Sequence, residues 1–197
     1  MYPGKYAEQN PDRSAFVMAA TGERVSYQEF EARSNRVAHY LADKGLGFQD
    51  HYSIFMENNN RYLESCAAGE RSGLYFTCIN SFLTSDELAY IINNSESQIL
   101  ITSMSKLEAA QEALAQCTAI KEVLVVGAGD ADLPEGMSDF ASTLSKYPET
   151  PLERELLGAA MLYSSGTTGR PKGIVRPLPE QSPNEPLPVS YTHLRAH

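Results

Sequence analysis

Apolar positions along this chain switch repeatedly between a two-residue and a helical period. From Ser14, "SAFVMAATGERVSY" sets two short apolar-containing runs around a Gly-containing turn, which predicts a hairpin. Tyr27, Phe30, Val37 and Leu41 then recur at near-helical spacing until Gly45. Ser26 stands three residues before Glu29 as in a capping box, so a helix is predicted between Ser26 and Gly45. "YSIFM" reads as a strand, "NRYLESCAAGERSG" as a helix with Leu63, Cys66 and Ala67 on one face, and "YFTCI" as another strand. The alternation continues with "SDELAYIINN" helical, "QILIT" extended, "SKLEAAQEALAQC" helical and "EVLVVG" a nearly all-apolar strand of the kind buried on both faces. Residues Gly127 to Leu157 are looser and acidic, with Pro134, Pro148 and Pro151. They predict a surface connection with one short helix around "MSDFASTL". "AAMLY" then reads as a strand that runs straight into a glycine-rich loop.

Strands that alternate with helices predict an α/β fold with a mostly parallel sheet and flanking helices, because each parallel pair needs a crossover and a helix is the usual one. No internal repeat at a fixed period is present, which excludes a solenoid. Between Pro177 and Pro188 five prolines fall in twelve residues, a density that forbids a regular helix or central strand. The "VSYTHLRAH" that follows resembles the translation of a transposon end used to prepare sequencing libraries. Residues 1–178 are therefore read as the folded part and 179–197 as a Pro-rich, artefactual, disordered tail, in which His193 and His197 carry no role.

Composition narrows the function classes. A hydrophobic fraction of 42% and a charged fraction of 21% are those of a soluble folded chain. A formal net charge of -9 excludes a broad phosphate-backbone grip on nucleic acid, while leaving room for a nucleotide held by local groups. Cys66, Cys78 and Cys117 form no metal-ligand spacing and cannot all pair. They read as buried thiols in a reducing cytoplasm. The first residues lack the apolar core of a signal peptide, and no stretch approaches the ~20 apolar residues of a membrane span, so a cytoplasmic location is expected.

The candidate chemistry lies in "YSSGTTGRPKG", Tyr163 to Gly173. Gly166 and Gly169 let a backbone turn tightly and come close to a ligand, and the amides freed by such a turn can point together at an anion. Ser164, Ser165, Thr167 and Thr168 add hydroxyls for phosphate oxygens or a magnesium shell, and Lys172 adds a mobile point charge. The bland alternative is a Gly/Ser/Thr surface turn followed by a solvated lysine. A Walker A loop fails twice, because counting from Gly166 puts Pro171 where its second glycine belongs and Gly173 where its hydroxyl belongs.

"LYSSGTTGRPKGI" closely resembles the phosphate loop of the adenylate-forming superfamily, which includes acyl-CoA synthetases, firefly luciferase and the adenylation domains of peptide synthetases. Upstream, "PDRSAFVMAATGERVSYQEFEARSNRVAHYLADKGL" and "MENNNRYLESCAAGERSGLYFTCINSFLTSDELAYIINNSESQILIT" resemble the opening of a bacterial AMP-forming acyl-CoA synthetase, in order and with similar spacing. The resemblance implies that a carboxylate attacks the α-phosphate of ATP to give an acyl adenylate, and that coenzyme A then displaces AMP as a thioester. It implies that Ser164, Ser165, Gly166, Thr167, Thr168, Gly169 and Lys172 cradle the β- and γ-phosphates, with the Ser164 hydroxyl nearest magnesium. Tyr163 is expected to pack at the strand end instead of touching ligand. Relatives carry the adenine and ribose groups, the hinge and the catalytic lysine later in the chain. By the same resemblance this sequence is an incomplete N-terminal part of a large domain, inactive alone and with no catalytic residue of its own. Fatty, aryl and steroid-like acids all stay open as substrates. An amino-acid-activating adenylation domain and a noncatalytic nucleotide-binding module stay open beside the leading reading.

Overall fold

The computed structural model describes residues 2–164 and 170–185. A short helix α1 (Gly4–Gln9) precedes a hairpin of β1 (Ser14–Val17) and β2 (Arg24–Ser26), whose register confirms the antiparallel pair expected there. α2 (Tyr27–Asp43) begins in a full capping box. The Glu29 amide donates to Ser26 Oγ at 3.2 Å and the Ser26 amide to Glu29 Oε2 at 2.9 Å. Then come β3 (His51–Phe55), α3 (Tyr62–Ser72), β4 (Tyr75–Cys78), α4 (Ser85–Asn94), β5 (Ile99–Ser103), α5 (Leu107–Leu114) and β6 (Glu122–Val126), each where the periodicity put it.

These strands form one parallel sheet in the order β7-β6-β5-β3-β4-β8, where β7 is Met137–Asp139 and β8 is Ala159–Ala160. Side-chain alternation sorts it into two faces. Tyr52, Ile54, Phe76, Ile99, Ile101 and Leu124 pack against α2, α3 and the short α6 (Phe140–Leu144). Phe55, Leu100, Val123 and Val125 pack against α4 and α5. Helices therefore cover both sides, as an all-parallel sheet requires. Among the described residues no helix is long and apolar enough to cross a membrane.

Three local expectations change. The passage around "MSDFASTL" is not all helix. Met137–Asp139 pairs with β6 as a sixth strand, and α6 starts only after Asp139, whose Oδ1 caps it by accepting from the Ser142 amide at 2.7 Å. "AAMLY" is two strands, because Ala159–Ala160 follows β4 and the chain then turns at Met161 into β9 (Leu162–Ser164). Of the cysteines read as buried, Cys66 is buried, Cys117 is half-buried and Cys78, the last residue of β4, is exposed.

The passage between α6 and β8 is pinned to the body by Arg71, which has no exposed surface. Its guanidinium binds both Glu31 carboxylate oxygens at 2.7 and 2.6 Å, pairs with Glu155 at 3.0 Å and donates to Asn35 Oδ1. Gly158 closes the passage. A Cβ there would stand 2.1 Å from the Gly69 carbonyl oxygen, so only glycine lets β8 approach the end of α3. Beyond it Leu178 packs with Tyr75 and Met161, and the Leu157 amide donates to the Gln181 carbonyl at 2.8 Å. The remainder of the segment read as a tail, 186–197, lies outside the described residues.

Candidate functional site

The edge strand β8 delivers the chain to the carboxyl end of the sheet, the end at which open parallel sheets bind ligands. There β9 pairs with β10 (Lys172–Ile174) as an antiparallel hairpin, with Ser164 opposite Lys172, Tyr163 opposite Gly173 and Leu162 opposite Ile174. The sequence-predicted Ser164 and Lys172 thus stand side by side at the mouth of the loop, their Cα atoms about 5 Å apart as in any directly opposed pair. Ser165, Gly166, Thr167, Thr168 and Gly169 lie outside the described residues.

Alternation gives this ribbon an outer and an inner face. Ser164 and Lys172 are exposed on the outer face, and no ion pair joins Lys172 to another described residue, so its charge is available to an anion. Tyr163 and Gly173 form the inner face. The Tyr163 hydroxyl donates to Asn94 Oδ1 at 2.8 Å, which agrees with the expectation that this ring packs at the strand end. Burial pushes its phenol up to about 12, so the group remains a donor at neutral pH. A Cβ at position 173 would lie 2.3 Å from the Met161 methyl and 3.0 Å from the Tyr163 ring, so glycine is what lets the two strands close.

Helix α4 straps the far end of the loop. The Tyr90 hydroxyl donates to the Pro171 carbonyl at 3.0 Å, and the Arg170 guanidinium lies 5.1 Å from the Tyr90 ring centroid. Tyr90 and Asn94 are four residues apart on one helix face and hold the two ends of the same loop. Sequence reasoning missed both. The only signal was their i, i+4 spacing in "SDELAYIINN", which gives no hint of a partner some seventy residues later. Past β10 the Tyr75 hydroxyl donates to the Arg176 carbonyl at 2.6 Å and fixes the outgoing chain.

A cleft of about 720 Å³ opens beside this strap, between Asp86, Glu87, Tyr90 and Arg170. Asp86 and Glu87 set two carboxylates against the one Arg170 guanidinium in its lining. Among the described residues no group of three or more His, Cys, Asp or Glu could hold a metal ion.

Residues 5–178 match the model of a family described as AMP-binding enzyme. The chain is similar to a 3-oxocholest-4-en-26-oate–CoA ligase of Rhodococcus rhodochrous, with 31% identity over 84% of this chain and 30% of that protein. It is also similar to acyl-CoA synthetase 7 of Caenorhabditis elegans, with 27% identity over 86% of this chain and 32% of that one. Among solved structures an anthranilate CoA ligase in complex with anthranoyl-AMP superposes with a TM-score of 0.74 at 21% identity, over 88% of this chain and 34% of that chain. The chain thus spans about a third of the length of the proteins it matches.

Proposed function

The chain belongs to the AMP-binding enzyme family, and from that premise we propose that its β9–β10 hairpin holds the β- and γ-phosphates of ATP while a carboxylic acid is activated. At the length of its relatives the protein would join the acid to AMP, releasing pyrophosphate, and then pass the acyl group to the thiol of coenzyme A. The names of the relatives, ligases of fatty and cholestenoic acids, favour a fatty or related acid as the substrate.

One observation carries the reading. The exposed Ser164 and Lys172 are directly opposed at the mouth of a glycine-bearing loop whose two ends are both tied to α4. Negative charge grows on the departing pyrophosphate as the α-phosphate is transferred. A lysine already in position would stabilise that charge without reorganising. Ser164, Ser165, Thr167 and Thr168 would supply hydroxyl donors, and Gly166 and Gly169 the close backbone approach. Magnesium, when bound with ATP at Ser164, would neutralise part of the polyphosphate charge. All the work assigned to these residues is binding and positioning, and none of it is covalent.

The test separates the two half-reactions in the protein at the length of its relatives. Lys172→Ala should slow acid-dependent exchange of pyrophosphate into ATP by ~10 to 1000-fold, the span for one lost contact to a developing charge. Thioester formation from a synthetic acyl adenylate, which has no β- or γ-phosphate, should be nearly unchanged. Equal loss in both assays would refute the assignment.

A further inference from the structure

Two sulfurs meet on the α3 side of the sheet. Cys66 lies in the middle of α3, 2% exposed and packed in the core with Ile54 and Phe76, while Cys78 ends β4 and is exposed. Their Sγ atoms are 3.6 Å apart. Tyr62 lies one helical turn before Cys66 on α3 and packs against the same core cluster. Either sulfur can donate to the other, and the pair joins a buried residue, Cys66, to an exposed one, Cys78.

That asymmetry divides the labour between the cysteines. The neighbouring Cys66 sulfur, and then Tyr62, hold the Cys78 thiol below its usual range, against burial of the sulfur and the Glu70 carboxylate, which act the other way. Cys66 is pushed up by the same contact and by burial, so it keeps its proton. Cys117 shows the contrast. It is half-buried, its thiol donates to the Ala113 carbonyl at 3.3 Å, and burial pushes it up.

We propose that Cys66 and Cys78 are a peroxide-sensitive dithiol, in which Cys78 is oxidised and Cys66 resolves it into a disulfide. The Cys78 thiolate attacks a hydroperoxide, breaking the O–O bond. One oxygen stays on sulfur as the sulfenic acid, and the other leaves as alkoxide or hydroxide and takes a proton from water. The Cys66 sulfur then displaces the sulfenic oxygen, which departs as water with the Cys66 proton, and the S–S bond forms. The peroxide is reduced by two electrons and the thiol pair is oxidised by two. The two sulfurs, 3.6 Å apart, close to the ~2.05 Å of a disulfide in this step. The product ties the middle of α3 to the carboxyl end of β4.

The experiment treats the purified chain with one equivalent of hydrogen peroxide near pH 7.5, blocks the remaining thiols by alkylation and maps the tryptic peptides. Cys66 and Cys78 fall on separate peptides, 62–71 and 72–106. The proposal expects these two peptides joined, with a loss of two hydrogens and Cys117 still alkylated, and Cys78 consumed at least about ten times faster than Cys117. In Cys66→Ser the Cys78 sulfenic acid should accumulate with no cross-link. In Cys78→Ser the buried Cys66 should react no faster than Cys117. Wild-type protein that collects a Cys78 sulfenic or sulfinic acid without the joined peptides overturns the proposal, as does oxidation of Cys117 at the same rate as Cys78.

Discussion

Glu64 and Arg71 are both buried on α3, and they differ in their partners. Among the described residues Glu64 has only Arg61, at 3.4 Å, as a direct ion-pair partner. Burial raises its carboxyl from the ordinary 4.5 to about 7, partly offset by Arg61 and Arg33 and reinforced by Glu23. The fold therefore binds this proton more tightly than the unfolded chain does. The resulting stabilisation is fully present below about pH 4.5 and is lost as pH rises through about 7, a swing of up to about 3 kcal/mol. Glu64→Gln should flatten that slope, so urea titrations at pH 5 and pH 8 should show the variant gaining on wild type at the higher pH. A difference that stays the same at both pH values would remove Glu64 from the account. Arg71 instead pairs with two carboxylates, and replacing it leaves Glu31 and Glu155 facing each other without a cation. Arg71→Met should cost about 3 to 5 kcal/mol of unfolding free energy, the usual result of breaking a buried pair from one side. A loss under about 1 kcal/mol would mean that the pin is incidental to the passage between α6 and β8.

At the scale of elements, those that bury a long periodic face were legible in the sequence, and those defined only by a neighbour were not. α2 announced itself by Ser26, Glu29 and its apolar spacing, and β5 and β6 by apolar runs that are now buried on both faces. α1 carries no side-chain cap and only six residues, too few for a period to show. β7 is three half-buried residues made into a strand by pairing with β6, and the break between β8 and β9 exists because Ala160 follows β4 while Leu162 follows β10. The candidate site divides the same way. Ser164 and Lys172 could be picked out by residue type, whereas Tyr90 and Asn94 hold the loop through contacts that local sequence does not encode. α4 should therefore govern the order of the hairpin. Tyr90→Phe keeps the ring under Arg170 but loses the bond to Pro171, and hydrogen exchange at the Lys172 and Gly173 amides should quicken by about five- to ten-fold, the equivalent of one hydrogen bond. Unchanged exchange there would show that the strap is decorative.

For the whole molecule, a parallel sheet covered by helices on both faces presents the β9–β10 hairpin, with the exposed Ser164 and Lys172, at its carboxyl end. The net charge of -9 makes the general field repel a polyphosphate, so any affinity must come from local contacts at the hairpin. This makes a binding measurement on the 197-residue chain a stringent one. Isothermal titration of pyrophosphate with magnesium into wild type and Lys172→Ala, with AMP as the control ligand, reads the claim directly. The account predicts that wild type binds pyrophosphate, that Lys172→Ala weakens it by about ten-fold or more, as the loss of a charge-assisted contact should, and that neither protein distinguishes itself with AMP. Equal pyrophosphate affinity in the two proteins would contradict the assignment of the β9–β10 hairpin as a phosphate cradle.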